Sequence, residues 1–145
     1  MNGKPGNHIK CRRDLRHGDP LSPYLFILIT DTLTRILSLA GSSGSIQKVG
    51  SLSWPNDLVS LHYADDTLLL VPGDAKSLTS LKLLLYTYEM MTSLKINFRK
   101  SFVYNLSRSE EIGTRAASIL NCNLGTLSFT YLGFPIKVTS LSRED

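Results

Sequence analysis

Apolar residues recur at helical spacing in three stretches of the chain, residues 21–37, 78–91 and 112–120. Asp19-Pro20 precedes the first stretch and is typical of a helix start, because Asp caps free backbone N–H groups and Pro fits the first turn. Asp74 stands before the second stretch as a cap, and Ser107 with Glu110 has the spacing of a capping box before the third. The pattern predicts three amphipathic helices.

Short β-prone runs lie between these helices. Residues 58–61 and 68–71 flank Tyr63-Ala64-Asp65-Asp66, which predicts a β-hairpin with two carboxylates at its tip. Residues 102–104 are predicted as a strand, 125–128 as a turn and 129–138 as a closing strand pair. Residues 1–19 are predicted as a loop with one strand near 8–12, and residues 45–57 as a loop or weak strand with a turn at 54–57. The order of elements predicts an α+β fold, with helices on one face of a small antiparallel sheet.

Composition is that of one ordinary globular domain, since the 145 residues are 42% hydrophobic and 19% charged. The net charge is +4, and basic residues cluster in residues 4–16 and 95–100. This excess is compatible with a polyanionic partner and equally with a solvated basic surface.

The cysteines and the N-terminal residues indicate where in the cell the protein is located. Cys11 and Cys122 are far apart and in no metal-binding spacing, so we expect reduced, intracellular thiols. The first twenty residues are polar, and the longest apolar stretch, residues 21–29, is short for a membrane span. We expect an intracellular protein that is neither secreted nor bound to a membrane; the sequence does not define its compartment and leaves nuclear and organellar locations open.

Asp65 and Asp66 are the first candidates for chemistry. Two adjacent carboxylates repel each other, and a divalent cation would offset that repulsion. Ligands that offer only oxygen suit Mg²⁺, which takes one or two carboxylates together with waters and substrate phosphates. Asp-Asp is also an ordinary polar turn, since Asp tolerates turn geometry. The hairpin by itself leaves both interpretations open.

Four segments, in order, resemble the reverse transcriptase family: LRHGDPLSPYLF at 15–26, YADD at 63–66, LKINFRKS at 94–101 and YLGFPI at 131–136. In that family the first segment leads into the palm helix and the second forms the catalytic hairpin. The third is the next palm segment along the chain, and the fourth is the hairpin that grips the primer. The last segment is spelled as in LINE-type, non-LTR retrotransposons, particularly those of plants. The resemblance covers most of residues 1–137 and implies a partial polymerase palm with an acidic hairpin packed on helices.

The resemblance also assigns roles to residues. Asp65 and Asp66 would be the catalytic acids that hold Mg²⁺ or Mn²⁺ for two-metal nucleotidyl transfer, with Asp65 as the principal ligand. The residues implied beside the nucleotide and template are Arg16, His17, Gly18, Asp19, Pro20, Ser22, Tyr63, Lys95 and Lys100. The primer grip would comprise Tyr131, Leu132 and Gly133. Solvated lysines and a plain buried strand end remain the alternatives for Lys95, Lys100 and the primer grip.

The chain also departs from the family pattern. Asp14 and His17 stand where Gly and Gln are usual, and Ser93 stands where Gly is common. The fingers, the upstream strand that carries another metal-binding Asp, and the thumb have no counterpart in the sequence. We therefore interpret residues 1–145 as a single, N-terminally truncated palm domain. We expect the isolated chain to be inactive or nearly so, because phosphoryl transfer depends on complete positioning.

The implied parent activity is RNA-directed DNA polymerisation, with an RNA template, a DNA primer and dNTPs as partners. Two alternatives stay open: a fragment similar to group II intron maturases, which also carry YADD, and a nucleic-acid-binding remnant without catalysis. A third alternative is that no function survives.

Overall fold

The computed structural model describes residues 19–47, 59–107 and 109–137, and it confirms a mixed α+β architecture. The elements of this part of the chain are α1 Ser22–Ser42, β1 Val59–Tyr63, β2 Asp66–Leu70, α2 Ala75–Thr92, β3 Phe102–Tyr104, α3 Glu110–Leu120, β4 Asn123–Gly125, β5 Ser128–Tyr131 and β6 Phe134–Lys137. Predictions at Arg16, His17 and Gly18, and those for residues 8–12 and 54–57, lie outside the described residues.

The described strands form three separate pairs, so the prediction of one small antiparallel sheet is wrong. β1 with β2 and β5 with β6 are antiparallel hairpins, whereas β3 and β4 are parallel. A parallel pair needs a crossover, and α3 supplies it between β3 and β4. The predicted turn at residues 125–128 joins β4 to β5. β4 itself was not predicted, because a three-residue strand with one apolar side chain has no visible period.

The hydrophobic core lies where the three helices meet. α2 contributes an apolar stripe that contacts both α1 and α3. The buried core residues are Leu33, Leu37, Ala40, Ile46, Leu78, Leu81, Leu85, Tyr88, Ala116 and Leu120. Fully burying a Leu or Ile side chain stabilises the fold by roughly 1.5–3 kcal/mol. The core therefore depends mainly on the helical periods that the sequence shows.

Only the C-terminal half of α1 is buried. Leu33 and Leu37 are in the core, but Leu21 and Leu28 are each 62% exposed, although all four share the same apolar spacing. By length and mean hydropathy (1.4), α1 is the one helix in the described residues that could cross a membrane. Because α1 packs on α2, the apolar residues in the C-terminal half of α1 are buried in the core.

Polar residues decide where α2 and α3 begin. Asp74 caps α2 as predicted, because its Oδ1 accepts a hydrogen bond from the Ser77 N–H at 2.8 Å. The capping box predicted at Ser107 is wrong, since the N-cap of α3 is Ser109. The Ser107 hydroxyl instead donates to Asn105 Oδ1 at 2.8 Å, within the loop before the helix.

Candidate metal-binding hairpin

The acidic hairpin has a two-residue turn. Tyr63 pairs with Asp66 at the end of the ladder, which leaves Ala64 and Asp65 as the two central residues. Ala64 has a φ of 47°, in the left-handed region that glycine normally occupies. A positive φ at the first central residue alone is the sign pattern of a type II′ turn, which suits the twist of antiparallel strands. A side chain in this region costs about 1–2 kcal/mol, so the fold holds strain beside the two acids.

The two carboxylates belong to consecutive residues, and both side chains are exposed. Asp65 is in the turn and Asp66 is the first residue of β2. Among the described residues, neither carboxylate has a hydrogen-bond or ion-pair partner. Their oxygens are therefore not engaged by protein groups there.

The donor set suits a hard cation that is shared with a substrate. The hairpin offers carboxylate oxygens only, and within residues 19–47, 59–107 and 109–137 no three or more His, Cys, Asp or Glu side chains form a cluster. Mg²⁺ is usually held by one or two carboxylates, with waters and phosphates completing its shell. Asp65 and Asp66 fit such a half-site and do not form an all-protein cage.

His62 ties the hairpin to α1. Its Nε2 lies 3.2 Å from Thr34 Oγ1 on α1, and its Nδ1 lies 3.1 Å from Thr67 Oγ1 on β2. Thr34 also donates to the Thr30 carbonyl at 3.3 Å, so its hydroxyl can accept the proton of Nε2. Burial lowers the pKa of the His62 imidazole, which favours the neutral ring. His62, which connects the hairpin to α1, immediately precedes Tyr63.

Sequence reasoning missed His62, although part of the signal was present. In a two-residue hairpin centred on Ala64 and Asp65, His62 must face Thr67, and the ladder has this register. The contact with Thr34 is tertiary and has no local signature.

The N-cap of α1 is Leu21, so the prediction that Asp19 caps the helix is wrong, and Asp19 instead forms a polar turn before it. Asp19 Oδ1 accepts from the Leu21 N–H at 2.9 Å, and the Asp19 carbonyl accepts from the Ser22 N–H at 3.0 Å. The helix begins at Ser22, so Pro20 precedes it and Pro23 is the proline in its first turn. Helix rise places Ser22 about 18 Å along the axis from Thr34. Among the described residues, no hydrogen bond joins this turn to the acidic hairpin.

Lys95 and Lys100 lie in the segment after α2 and are exposed. Lys95 Nζ is 4.0 Å from the carboxylate of Glu89, whose other oxygen accepts from the Ile96 N–H at 2.7 Å. Glu89 is only 8% exposed and fixes the path of this segment, a role that sequence reasoning missed. Neither lysine makes an ion pair with Asp65 or Asp66 in the part of the chain that the structure describes.

The predicted primer-grip segment is a hairpin turn, as expected. Tyr131 ends β5 and pairs with Phe134, and Leu132 and Gly133 form the two-residue loop. Their φ values of 51° and 84° match a type I′ turn. Gly tolerates its position, whereas Leu132 is strained there. The hairpin is confirmed, and its role in holding a primer stays a prediction.

Comparison with known proteins identifies the family. Residues 1–136 match the family described as reverse transcriptase (RNA-dependent DNA polymerase), and the chain belongs to it. An uncharacterized mitochondrial protein of Arabidopsis thaliana is 39% identical over 67 residues, which are 46% of this chain and 55% of that protein. The chain thus spans about half the length of this curated relative. No solved structure matches the chain.

Proposed function

We propose that the chain is a palm fragment of an RNA-directed DNA polymerase from a LINE-type element, and that Asp65 and Asp66 bind Mg²⁺ or Mn²⁺. The observation that carries the proposal is the exposed acid pair on a strained two-residue turn, in a chain that belongs to the reverse transcriptase family. The spelling of residues 131–136 supports the LINE-type lineage over a group II intron maturase.

The residues of this chain would present and orient the ligands. In a polymerase the bound cation polarises the attacking hydroxyl and the phosphate oxygens of the nucleotide. Asp65 and Asp66 supply the oxygens, the turn at Ala64 sets their direction, and His62 holds the hairpin on α1. Tyr63, 62% exposed beside Asp65, offers a ring face to the end of a template-primer.

RNA template, DNA primer and dNTPs are the proposed partners of this site, inside the cell. The residues proposed on the template and nucleotide side are Arg16, His17, Gly18, Asp19, Pro20, Ser22, Lys95 and Lys100. Tyr131, Leu132 and Gly133 are proposed to hold the primer backbone. Support for these roles is the family membership of residues 1–136.

We further propose that the isolated chain has little or no polymerase activity. No third acidic or imidazole side chain joins Asp65 and Asp66 among the described residues. Two-metal transfer depends on fixed positions for both the attacking and the leaving oxygen. Two carboxylates on one hairpin provide only part of that positioning.

Primer extension on an RNA template tests this proposal. We expect no incorporation, with Mg²⁺ or Mn²⁺, above that of Asp65→Ala. Glu110→Gln, an exposed acid at the start of α3, is the control for a change in surface charge. Robust incorporation that Asp65→Ala abolishes and Glu110→Gln leaves intact would support the site but contradict the proposed inactivity.

A nucleic-acid-binding protein without catalysis is the second candidate, and the incomplete acid set favours it. Its basic segment would include Arg12, Arg13 and Arg16. Affinity for an RNA–DNA hybrid should then fall steeply with salt, because bound phosphates release counterions. Unchanged binding after neutralisation of all three arginines would exclude them as the contact.

A further inference from the structure

The N-terminal half of α1 carries an apolar stripe on its outer side. Leu21, Tyr24, Ile27 and Leu28 are between 62% and 71% exposed. Residues that are three, four or seven positions apart share one side of a helix, so these four residues form a single stripe. Because one turn takes about 3.6 residues, this outer stripe lies on the side of α1 away from the buried residues of the same helix.

The hydroxyl groups in this part of α1 already have hydrogen-bond partners within the helix. Thr30 Oγ1 donates to the Phe26 carbonyl at 2.9 Å, and Thr32 Oγ1 donates to the Leu28 carbonyl at 2.9 Å. Covering a polar group is unfavourable mainly when the group is left without a partner. A partner that covered the outer stripe would therefore leave neither threonine hydroxyl unsatisfied.

The sequence of the outer stripe is uncharged. Residues 20–30 contain no Asp, Glu, Lys or Arg, and the next charged residue, Asp31, makes an ion pair with Arg35 at 2.7 Å. In a two-fold contact between identical chains each surface meets its own equivalent, so a charged surface would repel itself. An uncharged apolar stripe is complementary to a second copy of itself.

The same features disfavour a membrane as the partner. Residues 21–29 extend for about 13 Å, which is less than half of the hydrocarbon core of about 30 Å. The C-terminal half of α1 is held in the protein core and is not free to complete a span. Helices that lie along a membrane surface are typically rich in Lys and Arg on their polar face, and residues 19–34 contain neither.

The area of the outer stripe is that of a small dimer interface. At the observed exposures its four side chains offer roughly 300 Å² of apolar surface per copy, or roughly 600 Å² in a two-fold pair. Protein interfaces are about 57–65% apolar, so the whole contact would bury about 1,000 Å². This area is at the lower limit for a specific interface, which indicates a weak and reversible dimer.

We propose that two copies of the chain associate through their outer stripes, with one α1 against the other around a two-fold axis. Such a contact uses the same surface on both copies and therefore closes at a dimer. The inference goes beyond the proposed function, because it needs neither a metal nor a nucleic acid. None of the four stripe residues belongs to the sites proposed above.

Sedimentation velocity of the full chain, over about a hundred-fold range of protein concentration, tests the inference. We expect the average mass to rise with concentration and to level off at twice the mass of one chain. Leu28→Lys places a like charge on both copies and should keep the chain monomeric. Leu83→Lys changes a leucine of α2 with the same exposure of 62%, and this matched control should dimerise normally. Far-UV circular dichroism checks that both variants keep their helices.

Two further variants of the outer stripe keep the test independent of one substitution. Ile27→Lys should also be monomeric, whereas Tyr24→Phe retains the apolar ring and should dimerise. A monomeric unmodified chain at every concentration would overturn the inference, and so would equal losses of association in Leu28→Lys and Leu83→Lys. Growth beyond two copies without a plateau would also overturn it, because an isologous contact closes at a dimer.

Cosedimentation with phosphatidylcholine vesicles, with and without phosphatidylserine, separates a dimer contact from a membrane contact. If the unmodified chain stays monomeric and binds vesicles, and Leu28→Lys removes that binding, the outer stripe is a membrane contact and the inference is wrong. Asp65→Asn with Asp66→Asn should leave dimerisation in EDTA unchanged. Failure of metal binding at the hairpin would therefore not affect this result, and the two proposals can fail independently.

Discussion

His62 connects three elements through one ring, with Thr34 on α1 at one nitrogen and Thr67 on β2 at the other. Because His62 lies close to the acid pair in the chain, these two contacts orient the acidic hairpin relative to α1. The hairpin was predictable from β-prone runs around YADD, and the register follows from the turn length. The contact between His62 and Thr34 of α1 was not predictable, because the two residues are 28 positions apart and no local sequence pattern links a hydroxyl to an imidazole at that distance.

The half-buried His62 imidazole predicts a pH dependence of stability. Burial lowers the His62 pKa below its ordinary value of 6.5, so the unfolded chain binds a proton more readily than the folded one. The free energy of unfolding should be highest above pH 6.5 and fall as pH drops from about 7 towards 5. His62→Gln, which has no titrating ring, should flatten this part of the profile. Urea unfolding at a series of pH values measures both proteins.

The variant also isolates His62 from the other two histidines of the chain, which it leaves in place. A decline between pH 7 and 5 that is as steep in His62→Gln would contradict the assignment.

Ala64 and Leu132 show strain at both hairpin turns, with φ values of 47° and 51°. Neither residue type suggests a positive φ, and Asn or Gly would be expected at such positions. Only the pairing of the flanking strands reveals the positive φ at these two residues. At Ala64 the strained residue directly precedes the proposed metal ligands, which is where strain tends to be retained.

At the scale of elements, the three helices were predictable and the strand partners were not. The helical period of α2 and α3 is preserved in the core, since Leu78, Leu81, Leu85 and Tyr88 of the predicted α2 stripe are buried and Leu84 is half-buried. Met91 is an exception at 64% exposed, because the helix ends one residue later at Thr92. β4 is a strand because it pairs with β3, and its three residues show too little of a pattern for that pairing to be predicted.

The cap of α2 gives a prediction at this scale. Asp74→Ala removes the acceptor of the Ser77 N–H and should lower the free energy of unfolding by about 1 kcal/mol, whereas Asp74→Ser should retain most of it. Asp31→Ala, the control, breaks an exposed ion pair with Arg35 and should cost clearly less, because solvent screens that pair. Thermal and urea unfolding measure all three variants.

The cap explanation would be contradicted by equal losses at Asp74→Ala and Asp31→Ala. It would also be contradicted if Asp74→Ser were as unstable as Asp74→Ala, because a serine hydroxyl can accept the same hydrogen bond.

At the scale of the whole molecule, the described residues combine a helical core with two groups of side chains outside that core. One is the acidic hairpin, which YADD revealed from sequence. The other is formed by the stacked rings of Phe102, Tyr104 and Phe129, which no sequence pattern revealed because the rings come from strands that pair with different partners. The exposed N-terminal half of α1 also follows from tertiary packing, since its apolar spacing is the same as in the buried half.

The central claim is that the acid pair at the hairpin tip binds a divalent cation, and Mn²⁺ titration followed by electron paramagnetic resonance tests it most directly. Free Mn²⁺ gives a strong signal that binding removes, and nucleotide can be added to supply phosphate ligands. Glu110 and Glu111, a second adjacent pair of exposed acids at the start of α3, provide the matched control.

We expect the unmodified chain to bind one Mn²⁺ more tightly in the presence of dNTP, and Glu110→Gln with Glu111→Gln to bind it equally well. Asp65→Asn with Asp66→Asn should lose that site. If both double variants reduce Mn²⁺ binding to the same extent, the hairpin is only another acidic surface, and the account of it as a metal site is wrong.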